Sequence, residues 1–263
     1  MKKLGFGMMR LPLLNEEDKK SIDKKTVCQM VDTFMERGFT YFDTAYMYHE
    51  YESERAVKDV LVTRKDRDSY TLASKLPVMQ LKEKEDMERI FNEQREKCGV
   101  EYFDYYLLHA LDAEHYKTVK RLDCFGFAMQ KKAEGKVKHV GFSFHDSAEV
   151  LDQILTEHPE AEFVQLQLNY LDWEDAKVQS RKCYETAVKH GKKVVVMEPV
   201  KGGTLAKLPK KAEDVLKALH PDWSAASWAI RFVASLENVM VVLSGMSTPE
   251  QMDDNTAYMK EFE

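Results

Sequence analysis

Short apolar runs alternate with longer amphipathic stretches along the whole chain. The apolar runs are KLGFGMM, FTYFDTA, SYTLASKL, FDYYLLH, VKHVGFSF, FVQLQLNY, KVVVMEPV and VMVVLSGM. They are strand-length, rich in β-branched and aromatic residues, and bounded by polar residues or glycine, which predicts strands. Several, such as YYLLH and VVVM, are apolar on both alternations, the pattern of strands buried on both faces of a parallel sheet. Between them the period becomes helical. Residues 24–37 place Val27, Val31, Phe34 and Met35 on one face and stop at Gly38. Further helices are predicted over 85–98, 116–134, 175–190, 223–236 and 249–262. Gly99, Gly135 and Gly191 are their stops, and Ser147, Asp175, Asp222 and Thr248 are predicted N-caps.

Eight strand–helix units in 263 residues, without a domain-sized shift in composition, predict a single (β/α)8 TIM barrel over 1–263. A doubly wound sheet is the rival. It would usually carry a Gly-rich phosphate turn between an early strand and its helix. In LGFGMMRLPL no third glycine follows and a proline replaces the helix. The longest stretch without strong periodicity is 200–211, VKGGTLAKLPKK. It reads either as a ligand-contacting loop or as a solvated lysine-rich connection.

Composition limits the function classes. Apolar residues make up 44% and charged residues 32%, which suits a sizeable core under a charged shell. The net charge is −6 and no basic stripe interrupts it, so neither nucleic acid nor an anionic membrane is an expected partner. No apolar run has membrane-spanning length. The start, MKKLGFGMMRLPLL, lacks the long apolar region and cleavage site of a signal peptide. The four cysteines are scattered, with no CxxC and no histidine at ligand spacing, so no metal site is expected within this chain. Reduced thiols without a leader make the cytoplasm the expected location.

Chemistry gathers at the ends of early strands. Asp43 and Tyr48 lie in FTYFDTAYMY, Lys75 ends YTLASK and His109 ends YFDYYLLH. Singly, each could cap a helix or form an ion pair. In a barrel, carboxyl ends of successive strands converge on one mouth. Free tyrosine titrates near 10, and an adjacent ammonium lowers that value. Lys75 is the candidate ammonium and Asp43 would hold it charged. Tyr48 then becomes a general acid, and a neutral His109 could orient a carbonyl oxygen. The set lacks a reductant, so a hydride-carrying cofactor is implied. His145 could contact substrate or cap the helix at Ser147. His49, with Glu50 and Glu52, reads as a polar loop. Tyr170 and Trp173 could form a substrate wall or simply pack, and Trp223 and Trp228 read as packing residues.

In FDTAYMY, the SK after the third strand, and CGVEYFDYYLLH, the chain resembles the aldo-keto reductase family. EGKVKHVGFSFH, VQLQLNY, MEPVKGG and LSGMSTPEQMDDN resemble its later motifs, in order, over residues 4–255. The resemblance implies Asp43, Tyr48, Lys75 and His109 as the catalytic set and a small carbonyl compound as substrate. It implies NAD(P)H across the carboxyl end of the barrel. By position, Ser143 and Gln165 would hold the nicotinamide carboxamide, and Met8 and Met9 would line the mouth. Met197 stands where many relatives stack a tyrosine. Val200, Lys201 and Gly203 would line the pyrophosphate. Ser244, Gly245, Met246 and Ser247, with Gln251, Asp254 and Asn255, would surround the adenosine half.

Two departures from the family pattern stand out. Gly245 and Gln251 stand where many NADPH-using relatives carry cations, which weakens NADP(H); family habit still favours it slightly over NAD(H). Phe144 and His145 stand where many relatives have an Asn. FSFH, MEPVKGG and SGMST resemble a subgroup whose barrel is often followed by a ferredoxin-like domain. That implies either a truncated piece of a longer parent chain with an iron–sulfur domain or a short member ending at Glu263. Two other functions compete with reduction: a nucleotide-binding regulatory or interaction subunit with little turnover, and a Schiff-base lyase built on Lys75.

Overall fold

Eight parallel strands close on themselves in chain order, β1 through β8, each hydrogen-bonded to the next and β8 back to β1. In the computed structural model, which describes residues 2–260 and 262, the strands are β1 Leu4–Gly7, β2 Tyr41–Asp43, β3 Thr71–Leu76 and β4 Phe103–Leu111. The other four are β5 Val137–Phe144, β6 Phe163–Gln167, β7 Lys193–Met197 and β8 Val239–Ser244. This is the (β/α)8 barrel expected from the alternating pattern. Met1 and Glu263, the limits of the 1–263 expectation, lie outside the described residues, as does Glu261.

The strands carry apolar side chains on both faces because both faces are covered. Inward, Tyr41, Ala73, Leu107, Phe163, Val195 and Val241 fill the barrel. Outward, Phe42, Leu72, Tyr106 and Val194 meet the helices. Each large side chain buried this way contributes roughly 1.5–3 kcal/mol. Gly141 in β5 allows close strand packing: a Cβ there would come within 2.4 Å of the Phe163 carbonyl oxygen on β6.

The helices are α1 Lys24–Glu36, α2 Ser53–Val57, α3 Lys84–Cys98, α4 Ala113–Leu122 and α5 Cys124–Ala133. They continue with α6 Ala148–Glu157, α7 Ser180–Lys189, α8 Lys210–Leu219, α9 Ala225–Ala234 and α10 Pro249–Met259. Ser147 and Thr248 cap α6 and α10 as expected. The helix expected over 116–134 is two. Asp123 adopts φ 57°, breaks the path and accepts from Gly126 N to start α5. The helix expected from 175 begins at Ser180, because the Asp175 carboxylate closes a local turn on the amides of Lys177 and Val178. Ser224, not Asp222, caps α9. The 200–211 stretch contains a 3₁₀ segment, Lys201–Ala206, and then enters α8.

Cys98, Cys124 and Cys183 are buried and Cys28 is partly so, all as free thiols. Burial raises the Cys98 thiol and pushes Cys124 and Cys183 up to about 12, so these three are poor nucleophiles at neutral pH. No helix among the described residues is long and apolar enough to cross a membrane.

Candidate active site

The end of β2 delivers Asp43 into the barrel mouth, and the end of β3 delivers Lys75 beside it. Lys75 Nζ donates to Asp43 Oδ1 at 2.6 Å, to the Thr44 carbonyl at 2.8 Å and to the Tyr48 hydroxyl at 3.4 Å. All three donor positions of the ammonium are therefore used. The Tyr48 loop is pinned by Ser53, whose hydroxyl meets Thr44 Oγ1 at 2.9 Å and donates to the Met8 carbonyl at 3.1 Å. His109, from β4, presents its ring edge-on to Tyr48 at 6.0 Å between centroids. The four residue types expected to act together thus meet in one place.

The charges follow from this packing. Burial alone would lower the Lys75 pKa; the Asp43 charge, Tyr48 and their hydrogen bonds outweigh it, and the net direction is upward. Lys75 is therefore an ammonium, unsuited to Schiff-base attack. Burial pushes the Asp43 carboxyl above its ordinary value against the pull of Lys75. The phenol differs from expectation. Burial raises Tyr48 above 10, and Lys75 offsets only part of that. Tyr48 keeps its proton at neutral pH, which a proton donor requires. Burial, with Lys75 and His145 nearby, holds His109 down to about 3, so its imidazole is neutral.

A second layer supports the set, and sequence reasoning missed it. Buried Glu54 accepts from Ser74 Oγ and from Gln94 Nε2, both at 2.7 Å, while Gln94 also donates to the Lys75 carbonyl at 3.0 Å. This network fixes the backbone that carries Lys75. The available signal was weak: in YESER, Glu54 sits between Glu52 and Arg55 and reads as one more charged residue of a polar loop.

Tyr48 and His109 open into a cavity of 480 Å³, shared with Met9, Ser143, His145, Gln165 and Met197. Ser143 Oγ accepts from Ala110 N at 2.7 Å. Gln165 Nε2 reaches the Met197 sulfur at 3.6 Å, while its Oε1 is buried without a partner. A neighbouring cavity of 220 Å³ is lined by Val200, Gly203, Ser244, Gly245, Ser247, Gln251, Asp254 and Asn255. There Asn255 donates to Ser244 Oγ at 3.1 Å, Ser224 donates to Asp254 at 2.7 Å, and Gln251 accepts from Ser247 N at 2.8 Å. Arg10 and Glu198, paired at 3.3 Å, line both cavities; neither had stood out in sequence.

Three expected contact residues lie elsewhere. Met8 and Met246 are buried in the core, because the chain turns their side chains outward beneath the helices. The Lys201 ammonium is taken by Asp172, itself held by Gln167 and Asn169, and lines neither cavity. His145 faces the tetrad cavity and does not cap α6. His49 accepts from Leu11 N at 3.1 Å and pairs with the Lys19 carbonyl, so it fastens the loop after β1. Tyr170 and Trp173 pack edge-on against Phe232. Among the described residues, no group of three or more His, Cys, Asp or Glu is arranged to hold a metal.

The model of the Aldo/keto reductase family matches residues 3–263. No curated protein matches. Solved structures resemble the fold closely. A thermostable aldo-keto reductase crystallised with the inhibitor epalrestat superposes with a TM-score of 0.76 at 17% identity, covering 99% of this chain and 90% of that one. An aldo-keto reductase from Bacillus halodurans in its holo form gives 0.71 at 21%, covering 97% and 85%. One from Klebsiella pneumoniae in complex with NADPH gives 0.72 at 18%, covering 98% and 85%. At such identities structural likeness speaks for the fold alone. The family match, spanning almost every residue, carries the assignment further: this chain belongs to the aldo/keto reductase family.

Proposed function

We propose that this chain reduces aldehyde or ketone carbonyls to alcohols, with Tyr48 as general acid and a nicotinamide dinucleotide, NADP(H) in preference to NAD(H), as reductant. The observation that carries it is the Lys75 ammonium held between Asp43 and Tyr48, with the phenol and His109 facing one cavity. Family membership supports the reaction class. The Klebsiella pneumoniae relative described with NADPH supports the phosphorylated carrier.

The residues present fit such a group. The unpartnered Gln165 amide oxygen is a ready acceptor for a carboxamide N–H, and Ser143 stands beside it. Met9 and Met197 offer polarizable contacts for a ring. The adjoining cavity from Val200 to Asn255 offers hydroxyls, amides and glycine backbone for the nucleotide half. When bound, the dinucleotide supplies a hydride to the carbonyl carbon.

The protein's part is proton delivery and orientation. Neutral His109 donates one ring N–H toward the carbonyl oxygen and aims it at Tyr48. As negative charge grows on that oxygen, the phenol gives up its proton, because an alkoxide is a far stronger base than a phenolate. Lys75 stabilises the phenolate left behind, and Asp43 keeps Lys75 charged and aimed. The raised Tyr48 pKa makes the acid weaker but keeps it fully loaded.

The motifs FSFH, MEPVKGG and SGMST support placement in the branch often fused to a ferredoxin-like domain, and with it an iron–sulfur domain in a longer parent chain. The four scattered thiols support a cytoplasmic location. The experiment for the main reading is fluorescence titration with NADPH and NADH side by side, followed by aldehyde-dependent oxidation of the bound form. Tight binding with steady turnover supports a reductase. Tight binding without turnover across an aldehyde panel supports a regulatory subunit instead.

A further inference from the structure

The chain has eight histidines, and their ring partners separate them sharply. His49, His115, His139, His158 and His190 each bond a carbonyl, a carboxylate or an amide through the ring. His220 stacks on Trp223 at 4.0 Å. Among the described residues, only His109 and His145 present rings with neither a hydrogen bond nor a stacked neighbour, and both face the tetrad cavity. His109 has a role in the reaction proposed above. His145 has none.

Its position is fixed by backbone. His145 follows β5 directly and its amide donates to the Leu111 carbonyl on β4 at 2.9 Å. The two imidazoles thus leave adjacent strands, whose axes lie about 4.8 Å apart. A molecule with its carbonyl at Tyr48 and His109 would bring the next carbons of its frame toward His145. His145 stands at the solvent-exposed rim of the cavity, and the protein packed beside it lowers its pKa, so the ring is neutral at pH 7, with one donor and one acceptor. The cations nearby are already engaged, Lys75 by Asp43 and Arg10 by Glu198. That disfavours a carboxylate on the substrate. The thioethers of Met9, Met47, Met79 and Met197 form the apolar part of the cavity, while the polar side chains of Ser143 and Gln165 are the ones assigned above to the carboxamide.

We propose that His145 is a specificity-determining residue that hydrogen-bonds an uncharged hydroxyl next to the reacting carbonyl, so that α-hydroxycarbonyl compounds are the favoured substrate class. This rests on the reductase reading. At an exposed rim the gain from such a hydrogen bond is that of a typical net bond, about 1 kcal/mol (roughly fivefold), enough to favour the hydroxyl over the analogue lacking it.

Hydroxyacetone and 2-butanone form the matched pair, a hydroxyl replacing a methyl. The ratio of their kcat/KM values is measured for the wild type, His145→Leu and His145→Gln. The ratio should fall about five- to tenfold in the leucine variant and recover most of that in the glutamine variant. A ratio constant within threefold across all three proteins overturns the proposal. A second readout does not need turnover. In ¹⁵N-histidine-labelled protein, hydroxyacetone should shift the His145 ring signal, assigned by its loss in His145→Gln, and 2-butanone should not. Absence of that shift counts against His145 even if both ketones are reduced. A shift without reduction of either ketone would sink the reductase reading and leave the His145 contact standing.

Discussion

Lys75 Nζ lies 2.6 Å from Asp43 Oδ1, with neither side chain more than 3% exposed. Two opposite charges so deeply buried hold each other in place, and each is costly alone. Asp43→Ala leaves the ammonium without its counter-charge. The expected loss is about 3–5 kcal/mol of folding stability, checked by chemical denaturation. Reductase activity should fall with it even in the folded fraction, because the phenolate loses its stabilising cation.

Acid should weaken the fold through His109. Its folded pKa of about 3 lies below the unfolded value near 6.5. Between these values the unfolded chain binds a proton that the native state refuses, so stability falls as pH drops. By pH 4 the native state is expected to have lost about 3 kcal/mol from this group. His109→Gln removes the titration. Its denaturation midpoint should fall less between pH 7 and pH 4 than that of the wild type. Parallel pH dependence in the two proteins would show that other groups govern the acid response.

The unpartnered Gln165 amide oxygen marks where a cofactor should gain most. Gln165→Leu removes the waiting acceptor while keeping much of the volume. Dinucleotide affinity should weaken by about 1–2 kcal/mol, roughly five- to thirtyfold. Direct fluorescence titration measures this without turnover. Affinity within twofold of the wild type would place the carboxamide elsewhere.

Much of this architecture was readable from pattern. All eight strands appear as apolar runs, because parallel strands covered on both faces leave an unmistakable trace. The tetrad was readable because strand ends in a barrel converge. Local competition for the backbone was harder to read. Asp123 interrupts what looks like one long helix, since nothing in TVKRLDCFGFAM breaks the apolar period. Asp175 imitates an N-cap by bonding amides two and three residues on, outside any helix. Residues whose partners are distant in sequence stayed hidden. Glu54 depends on Ser74 and Gln94, and Arg10 on Glu198, across 188 positions. The raised Tyr48 pKa was likewise missed, because burial is a property of the folded cavity and opposes the cation that sequence reveals.

Tyr48→Phe tests the proposed proton donor most directly. It deletes one hydroxyl and leaves the ring beside Lys75 and His109. Turnover of an aldehyde should fall by about 10²–10⁴, while the NADPH dissociation constant stays within threefold of the wild type. Turnover preserved within threefold, with cofactor binding intact, would contradict the assignment of that proton to Tyr48.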